Sequence, residues 1–367
     1  MHRSIAVLGA GNGGQTLSAH LAMMGNKVSL YEHPSFVDKL IPIQKAGGIQ
    51  LTGAIEGFGK LRLASSDMGK VLEGAEIVYI VVPSFGQIPI MKEVLPFLAD
   101  GMKVVFIPGN FGSLEAFKLL KDEGVTSDVT LAETDTLPYA CRMVEPGKVQ
   151  VWGLKEGLSI AALPGKKTET LVQEIRDVFP IPLWTMENVL PIAFSNLNMI
   201  VHCAAVLLNI GRIESTQGDF RFYCDGVTPT VGKLQELMDS ERVAVGKAYG
   251  MNLERATEWV KKTYPVQGNS MHELLSKNPI YAGHGADAPK QVRHRYITED
   301  VPNLLVPVVS FARAAGVETP IIDSVITLLS SLTDEDYLET GRNFSCLGLQ
   351  GLGAQEVLNF VNCGERR

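Results

Sequence analysis

Five short apolar runs punctuate the first half of the chain: Ser4–Leu8, Lys27–Tyr31, Ile77–Val82, Lys103–Ile107 and Thr130–Glu133. They are rich in β-branched residues and apolar almost throughout, which predicts strands buried on both faces. Between several of them the apolar period lengthens to that of a helix, as over Gly13–Met24 and Ile88–Leu98. This alternation predicts an α/β fold, a doubly wound parallel sheet with helices on both faces. Gly147–Leu163 reads as a hairpin that extends the sheet, and Thr168–Phe179 as a further helix.

From about Met186 strand patterns almost vanish. Helical periods run over Glu187–Ile210, Thr230–Tyr249, Leu253–Tyr264, Asn303–Ala315 and Pro320–Leu332. We therefore divide the chain into an α/β domain, 1–185, and an all-helical second domain, 186–367. A length of 367 residues suits two cores better than one.

Composition narrows the class. With 46% hydrophobic and 20% charged residues the chain reads as globular. A net charge of −7, a pI near 5.6 and no basic run argue against nucleic acid or anionic membranes as partners. The five cysteines are scattered and form no C-x-x-C pair, so neither a metal site nor a disulfide framework is expected. The first apolar run is a glycine-interrupted strand and not the core of a leader peptide, and "MIVHCAAVLLNI" is broken by His and Asn. A cytoplasmic setting is the expectation.

The first strand runs into Gly9, Gly11 and Gly14, a G-x-G-x-x-G at the mouth of a helix. The first glycine allows a tight turn, the second lets the backbone approach a pyrophosphate, and the third lets the helix pack closely on the strand. Asn12 and Gly13 complete a candidate cofactor loop. Glu32, 18 residues beyond Gly14 and at the end of the second strand, is placed to accept hydrogen bonds from an adenine ribose. Its carboxylate favours NAD(H), while the adjacent His33 leaves NADP(H) open. The plainer alternative for Glu32 is a solvated strand-end charge. Two further loops, "VVPSFGQ" and "IPGNFGS", follow strands and offer Pro83, Ser84, Gln87 and Asn110 to the nicotinamide half. Ordinary turn chemistry explains these residues equally well.

In the second domain, "SNLNMIVHCAAVLLN" is apolar around most of a helical wheel. With Asn198 at zero, Asn209 falls at about 20°, His202 at about 40° and Ser195 at about 60°. A narrow polar stripe on a buried helix points to a ligand pocket, expected at the domain junction. A histidine there suits proton transfer near neutral pH, although a core histidine satisfied by a neighbour is the alternative. Downstream, Arg295, Glu299 and Asp300 precede a helical run, where Asp300 reads equally as an N-cap before Pro302.

Taken together, the chain resembles the opine dehydrogenase family of the octopine/nopaline type. The resemblance is carried by "GAGNGGQTLSAHLAMMG", "IVVPS", "ETDTLPYACR", "ENVLPIAFSNLNMIVH", "YCDGVTPTVGKL", "ERVAVGKAYG", "NPIYAG", "HRYITEDVPNLLVPV", "TPIIDSVI" and "GRNFSCLGLQGL". It implies a Rossmann-type domain followed by an all-helical substrate domain, and reductive condensation of an amino acid with a 2-oxo acid, commonly pyruvate, by NAD(P)H. It further implies that His202 and Asp300 form a catalytic pair, with Asn198 one turn before the histidine, and that Arg295 holds a substrate carboxylate. Two substrates bring two carboxylates, so a second cation is expected, with Arg142 a candidate. The amino-acid pocket is expected under Thr257–Leu275, where Trp259 reads equally as core. Small molecules are the expected partners, and a homodimer is compatible with the apolar second domain. The other readings are a hydroxy-acid or polyol dehydrogenase of similar architecture, which would need no amine, and a non-catalytic NAD sensor.

Overall fold

The structure, a computed structural model, describes residues 2–281 and 287–365. The last two residues of "NPIYAG", Ala282 and Gly283, and the final two of the predicted second domain lie outside the described residues. The chain forms two compact units. One runs to Ala193 and takes back the chain from Asn359 onward; the other is Phe194–Leu358.

The described strands of the first unit are, in chain order, β1 Ser4–Leu8, β2 Lys27–Tyr31, β3 Gly48–Gly53, β4 Gly57–Lys60, β5 Leu63–Ser65 and β6 Ile77–Ile80. They continue with β7 Lys103–Phe106, β8 Thr130–Thr134, β9 Tyr139–Glu145, β10 Lys148–Leu154, β11 Leu158–Leu163 and β12 Leu183–Thr185. The main sheet has the order β12-β11-β8-β7-β6-β1-β2-β5. From β5 to β8 every pairing is parallel, whereas β11 runs antiparallel to β8.

Side chains alternate between two cores across this sheet. Ile5, Val7, Val28, Leu30, Ile77 and Tyr79 face one, with Leu17 and Leu21 from the helix Asn12–Met23. Ala6, Leu8, Val78, Ile80, Val104 and Phe106 face the other, with Ile90, Met91 and Val94 from the helix Ser84–Val94. Each fully buried aliphatic side chain stabilises the fold by about 1.5–3 kcal/mol, which explains strands that are apolar at consecutive positions.

The predicted 147–163 hairpin does not extend one sheet. It divides between two: β11 joins the main sheet, while β10 pairs with β9 and β3 in a second sheet of order β4-β3-β10-β9. The pattern carries the reason. In β10, Val149 and Val151 are buried while Lys148 and Trp152 are exposed, as a one-sided strand requires; β11 is buried at nearly every position. The second sheet packs its Ile49, Leu51, Val149 and Val151 into the core shared with Leu17 and Leu21. The helix Asn12–Met23 is therefore buried over most of its surface.

The second unit is built on helices such as Asn198–Leu208, Pro229–Ala248, Val306–Ala315 and Pro320–Thr333. The longest starts where Thr228 accepts a hydrogen bond from the Val231 N–H, with Pro229 in the first turn. The expected helix Glu187–Ile210 is interrupted. It runs Val189–Phe194, breaks over residues 195–197 and restarts at Asn198. Asn196 Oδ1 accepts from the Asn198 N–H at 3.0 Å, a local side-chain bond that competes with helix continuation. By length and composition Val189–Leu208 would pass as a membrane span, at mean hydropathy 1.6, yet 72% of that window is buried in the fold.

Candidate functional site

In the first unit, the main-sheet order reverses direction between β1 and β6, and open α/β sheets bind ligands beyond the carboxyl ends of strands at such a point. The glycine loop lies there. Gly9 has φ +109°, and a Cβ on it would sit 2.5 Å from the Val81 carbonyl oxygen. A Cβ on Gly14 would lie 1.7 Å from the Gly9 carbonyl oxygen, and one on Gly13 would meet Leu137 at 2.8 Å. At Gly11 a Cβ would meet nothing within 4 Å. Gly9 and Gly14 are thus demanded by the fold itself, whereas Gly11 borders open space at the start of the helix Asn12–Met23. That helix has no side-chain cap, so its first N–H groups suit a phosphate. These residues fit a dinucleotide.

Side chains tie the loop down. Gln15, fully buried, donates to the Ala10 carbonyl at 2.8 Å and accepts from the Gly147 N–H at 2.9 Å. Asn12 Oδ1 accepts from the Met143 N–H at 3.0 Å. Glu32 is only 6% exposed and is not a solvated strand-end charge. One carboxylate oxygen accepts from the Ala10 N–H at 3.2 Å and pairs with Lys39 Nζ at 3.0 Å; the other accepts from the His33 N–H. The cation against Glu32 is therefore Lys39, which sequence reading passed over in favour of His33. A Lys seven residues downstream carries no motif to flag it.

The two neighbouring loops meet. Asn110, buried with φ +54°, donates from Nδ2 to Ser84 Oγ at 2.9 Å, while Pro83 immediately precedes the helix Ser84–Val94. Gln87 Nε2 donates to the Pro108 carbonyl at 2.8 Å. Beneath them Glu133, fully buried at the end of β8, accepts from the Phe111 N–H at 3.2 Å, and from the Ser113 N–H and hydroxyl at 2.7 and 2.6 Å. Glu133 was not anticipated, because nothing local in the sequence links it to a loop some twenty residues away.

In the second unit, His202 and Asp300 come together although 98 residues separate them. His202 is 7% and Asp300 4% exposed, and Nδ1 lies 2.7 Å from Oδ2. Asp300 does precede a helical turn, the π-helical Val301–Leu305, but its side chain does not cap it. Burial pushes the Asp300 carboxyl above the usual range, against the opposing pull of His202, and neighbouring Glu299 adds to the rise. An ionised Asp300 accepts only, so Nδ1–H donates to it and Nε2 is left as the lone-pair nitrogen.

Two residues complete the imidazole's surroundings that sequence reasoning had not singled out. Tyr223 places its hydroxyl 3.0 Å from Nε2. Tyr296 stacks on the ring, centroids 3.8 Å apart and 22° between planes. Both lie in stretches that carried the family resemblance, but no periodicity connects either to position 202. The rest of the predicted stripe is less uniform. Asn198 is exposed one turn before His202; Ser195 lies in the helix break; Asn209 donates to the Ala205 and Gly226 carbonyls at 2.8 and 2.9 Å and shapes the helix end. The Arg295 side chain is 60% exposed and pairs with Glu299 at 3.0 Å. Arg142 is exposed on β9. Trp259 is half-buried, edge-on to Tyr264, which borders an open cleft of about 890 Å³ with Lys261, Gln267 and Lys277.

Comparison with known proteins covers both units. Residues 4–120 match the family described as NAD-dependent glycerol-3-phosphate dehydrogenase N-terminus, and residues 185–333 match NAD/NADP octopine/nopaline dehydrogenase, alpha-helical domain. An opine dehydrogenase of Arthrobacter sp. (strain 1C) is 35% identical over 98% of this chain and 99% of its own length. The octopine dehydrogenase of Mizuhopecten yessoensis is 26% identical over 93% of this chain and 92% of its own. Among solved structures, an octopine dehydrogenase superposes with a TM-score of 0.80 at 22% identity, over 100% of this chain and 99% of that one. An α/β unit with a dinucleotide loop, a helical unit with a buried His–Asp pair, and 35% identity along nearly the whole length lead to one conclusion: the chain belongs to the opine dehydrogenase family.

Proposed function

We propose that this protein condenses an amino acid with a 2-oxo acid, pyruvate first among them, and reduces the product to a secondary-amine dicarboxylate with NADH. As a family member it is an NAD(P)-dependent oxidoreductase acting on CH–NH groups. A nicotinamide, when bound, would supply the hydride. The observation that carries the assignment of roles is the 2.7 Å contact between His202 and Asp300.

Condensation moves protons twice. The attacking ammonium gives up two, one that frees its lone pair and one that passes to the carbonyl oxygen as the carbinolamine forms, and the carbinolamine hydroxyl must then gain one to leave as water. His202 is the group that takes and returns a proton in this exchange. Asp300 fixes the tautomer and stabilises the imidazolium while it exists. Arg295, with its planar fork, exchanges Glu299 for a substrate carboxylate. Asn198, exposed one turn away, contributes a neutral polar group beside it. Solved octopine dehydrogenases holding NADH with L-arginine or with pyruvate support this substrate class.

Glu32 favours NAD(H), because a carboxylate at the end of β2 repels a 2′-phosphate. Lys39 tempers that repulsion, so NADP(H) is the weaker cofactor and not a forbidden one. A cytoplasmic, small-molecule enzyme follows from the same reading.

Following NADH oxidation tests the proposal. Turnover should require pyruvate and an amino acid together; full oxidation with the keto acid alone would make it a hydroxy-acid dehydrogenase. His202→Ala should abolish turnover and leave NADH affinity nearly intact.

A further inference from the structure

We propose that the Tyr223 hydroxyl is the atom through which His202 exchanges protons with the substrate. The inference rests on the acid/base role assigned to His202. Among the described residues, the contacts of the imidazole leave Nε2 as its way out. Nδ1 is taken by Asp300 at 2.7 Å, one ring face is covered by Tyr296 at 3.8 Å between centroids, and Nε2 faces the Tyr223 oxygen at 3.0 Å. His202 is buried, whereas Tyr223 is half-buried.

Tyr223 is also held in place. Its ring stacks on Tyr281, centroids 4.3 Å apart and planes 23° apart, and the Tyr281 hydroxyl donates to the Tyr264 hydroxyl at 2.9 Å. Tyr296 borders its hydroxyl as well. Burial pushes the Tyr223 phenol well above its ordinary pKa, with the neighbouring tyrosines adding to the rise, so it does not rest as a phenolate. A group that stays neutral can pass protons without storing one.

The transfer balances. With His202 as imidazolium, Nε2–H donates to the Tyr223 oxygen, and the Tyr223 O–H points to the carbinolamine hydroxyl. The phenol gives its proton to that hydroxyl, the nitrogen lone pair forms the C=N bond of the iminium as the C–O bond breaks and water leaves, and the phenol oxygen takes the proton from Nε2. Tyr223 begins and ends neutral, and His202 ends neutral. The proton it released is the one the substrate ammonium gave up, by the reverse movement, to free its lone pair; the second ammonium proton had already passed to the carbonyl oxygen as the carbinolamine hydroxyl formed.

Tyr223→Phe keeps the ring and removes only the hydroxyl. It should lower the single-turnover rate of condensation by about 10²-fold, with thermal stability and NADH affinity near wild type. Because two protons move together, the wild-type rate should fall along a bowed curve as D₂O replaces H₂O, and the variant's residual rate along a straight line. A Tyr223→Phe rate within about twofold of wild type, in a protein that His202→Asn inactivates, overturns the relay alone. A silent His202→Asn overturns the relay together with the assignment beneath it.

Discussion

Asp300 illustrates what a single residue costs and supplies. Burial holds its carboxyl above the usual range, so the folded state binds that proton more tightly than the unfolded chain does. The stability this contributes is complete below the unfolded pKa and is lost as pH rises through the folded value. Asp300→Asn carries no such penalty and still offers Nδ1–H an oxygen. It should therefore melt higher than wild type near neutral pH, with the difference disappearing below the ordinary carboxylate range, while kcat falls by about 10²–10⁴-fold. Melting curves over a pH series and turnover on the same samples check both parts; equal melting temperatures at every pH would mean that His202 fully offsets the burial. Glu32 makes the complementary case in the first unit. Glu32→Ser removes the repelling carboxylate and releases Lys39, which should raise kcat/KM with NADPH relative to NADH by about tenfold or more, one tenfold step being about 1.4 kcal/mol. An unchanged ratio would place cofactor choice elsewhere.

Among the elements, the glycine loop separates residues needed by the fold from residues needed by the ligand. Gly14→Ala drives a methyl into the Gly9 carbonyl and should lower the melting temperature sharply. Gly11→Ala meets no protein atom and should melt like wild type while binding NADH more weakly, as titration calorimetry would register. Equal melting losses in both variants would contradict this division. The pattern of the β1 strand and the loop that follows it is legible from sequence because every part is local. The 147–163 hairpin is the instructive case. Its two strands differ in period, one alternating and one apolar at every position but Ser159, and that difference already separated a one-sided sheet from a buried one. Reading both as one hairpin gave weight to adjacency in the chain over periodicity. The break before Asn198 is likewise local, set by Asn196, but it is invisible to a wheel that assumes an unbroken helix.

At the scale of the whole molecule, the boundary lies between Ala193 and Phe194 instead of near 185, and the chain from Asn359 belongs with the first unit. A change of pattern from strand to helix places the boundary at the first helix; packing places it where contacts thin out, one helix later. The returning C-terminal helix, Ala354–Cys363, brings Phe360 edge-on to Phe117 at 5.4 Å, and Asn188 Nδ2 donates to Asn362 Oδ1 at 2.8 Å. Phe360→Ala should destabilise the protein by about 3–5 kcal/mol. Denaturant unfolding that shows no loss would detach this helix from the core. The sequence by itself determined the α/β and helical halves, the dinucleotide loop and the identity of His202 and Asp300 as candidates, because apolar period, glycine spacing and family resemblance are all written along the chain. Only the tertiary structure decided that Tyr223 and Tyr296 enclose the imidazole, that Lys39 neutralises Glu32 and that Glu133 anchors the loop at Asn110. Each of those contacts joins segments with no shared period, brought together by the folded chain, where buried polar groups take hydrogen-bond partners.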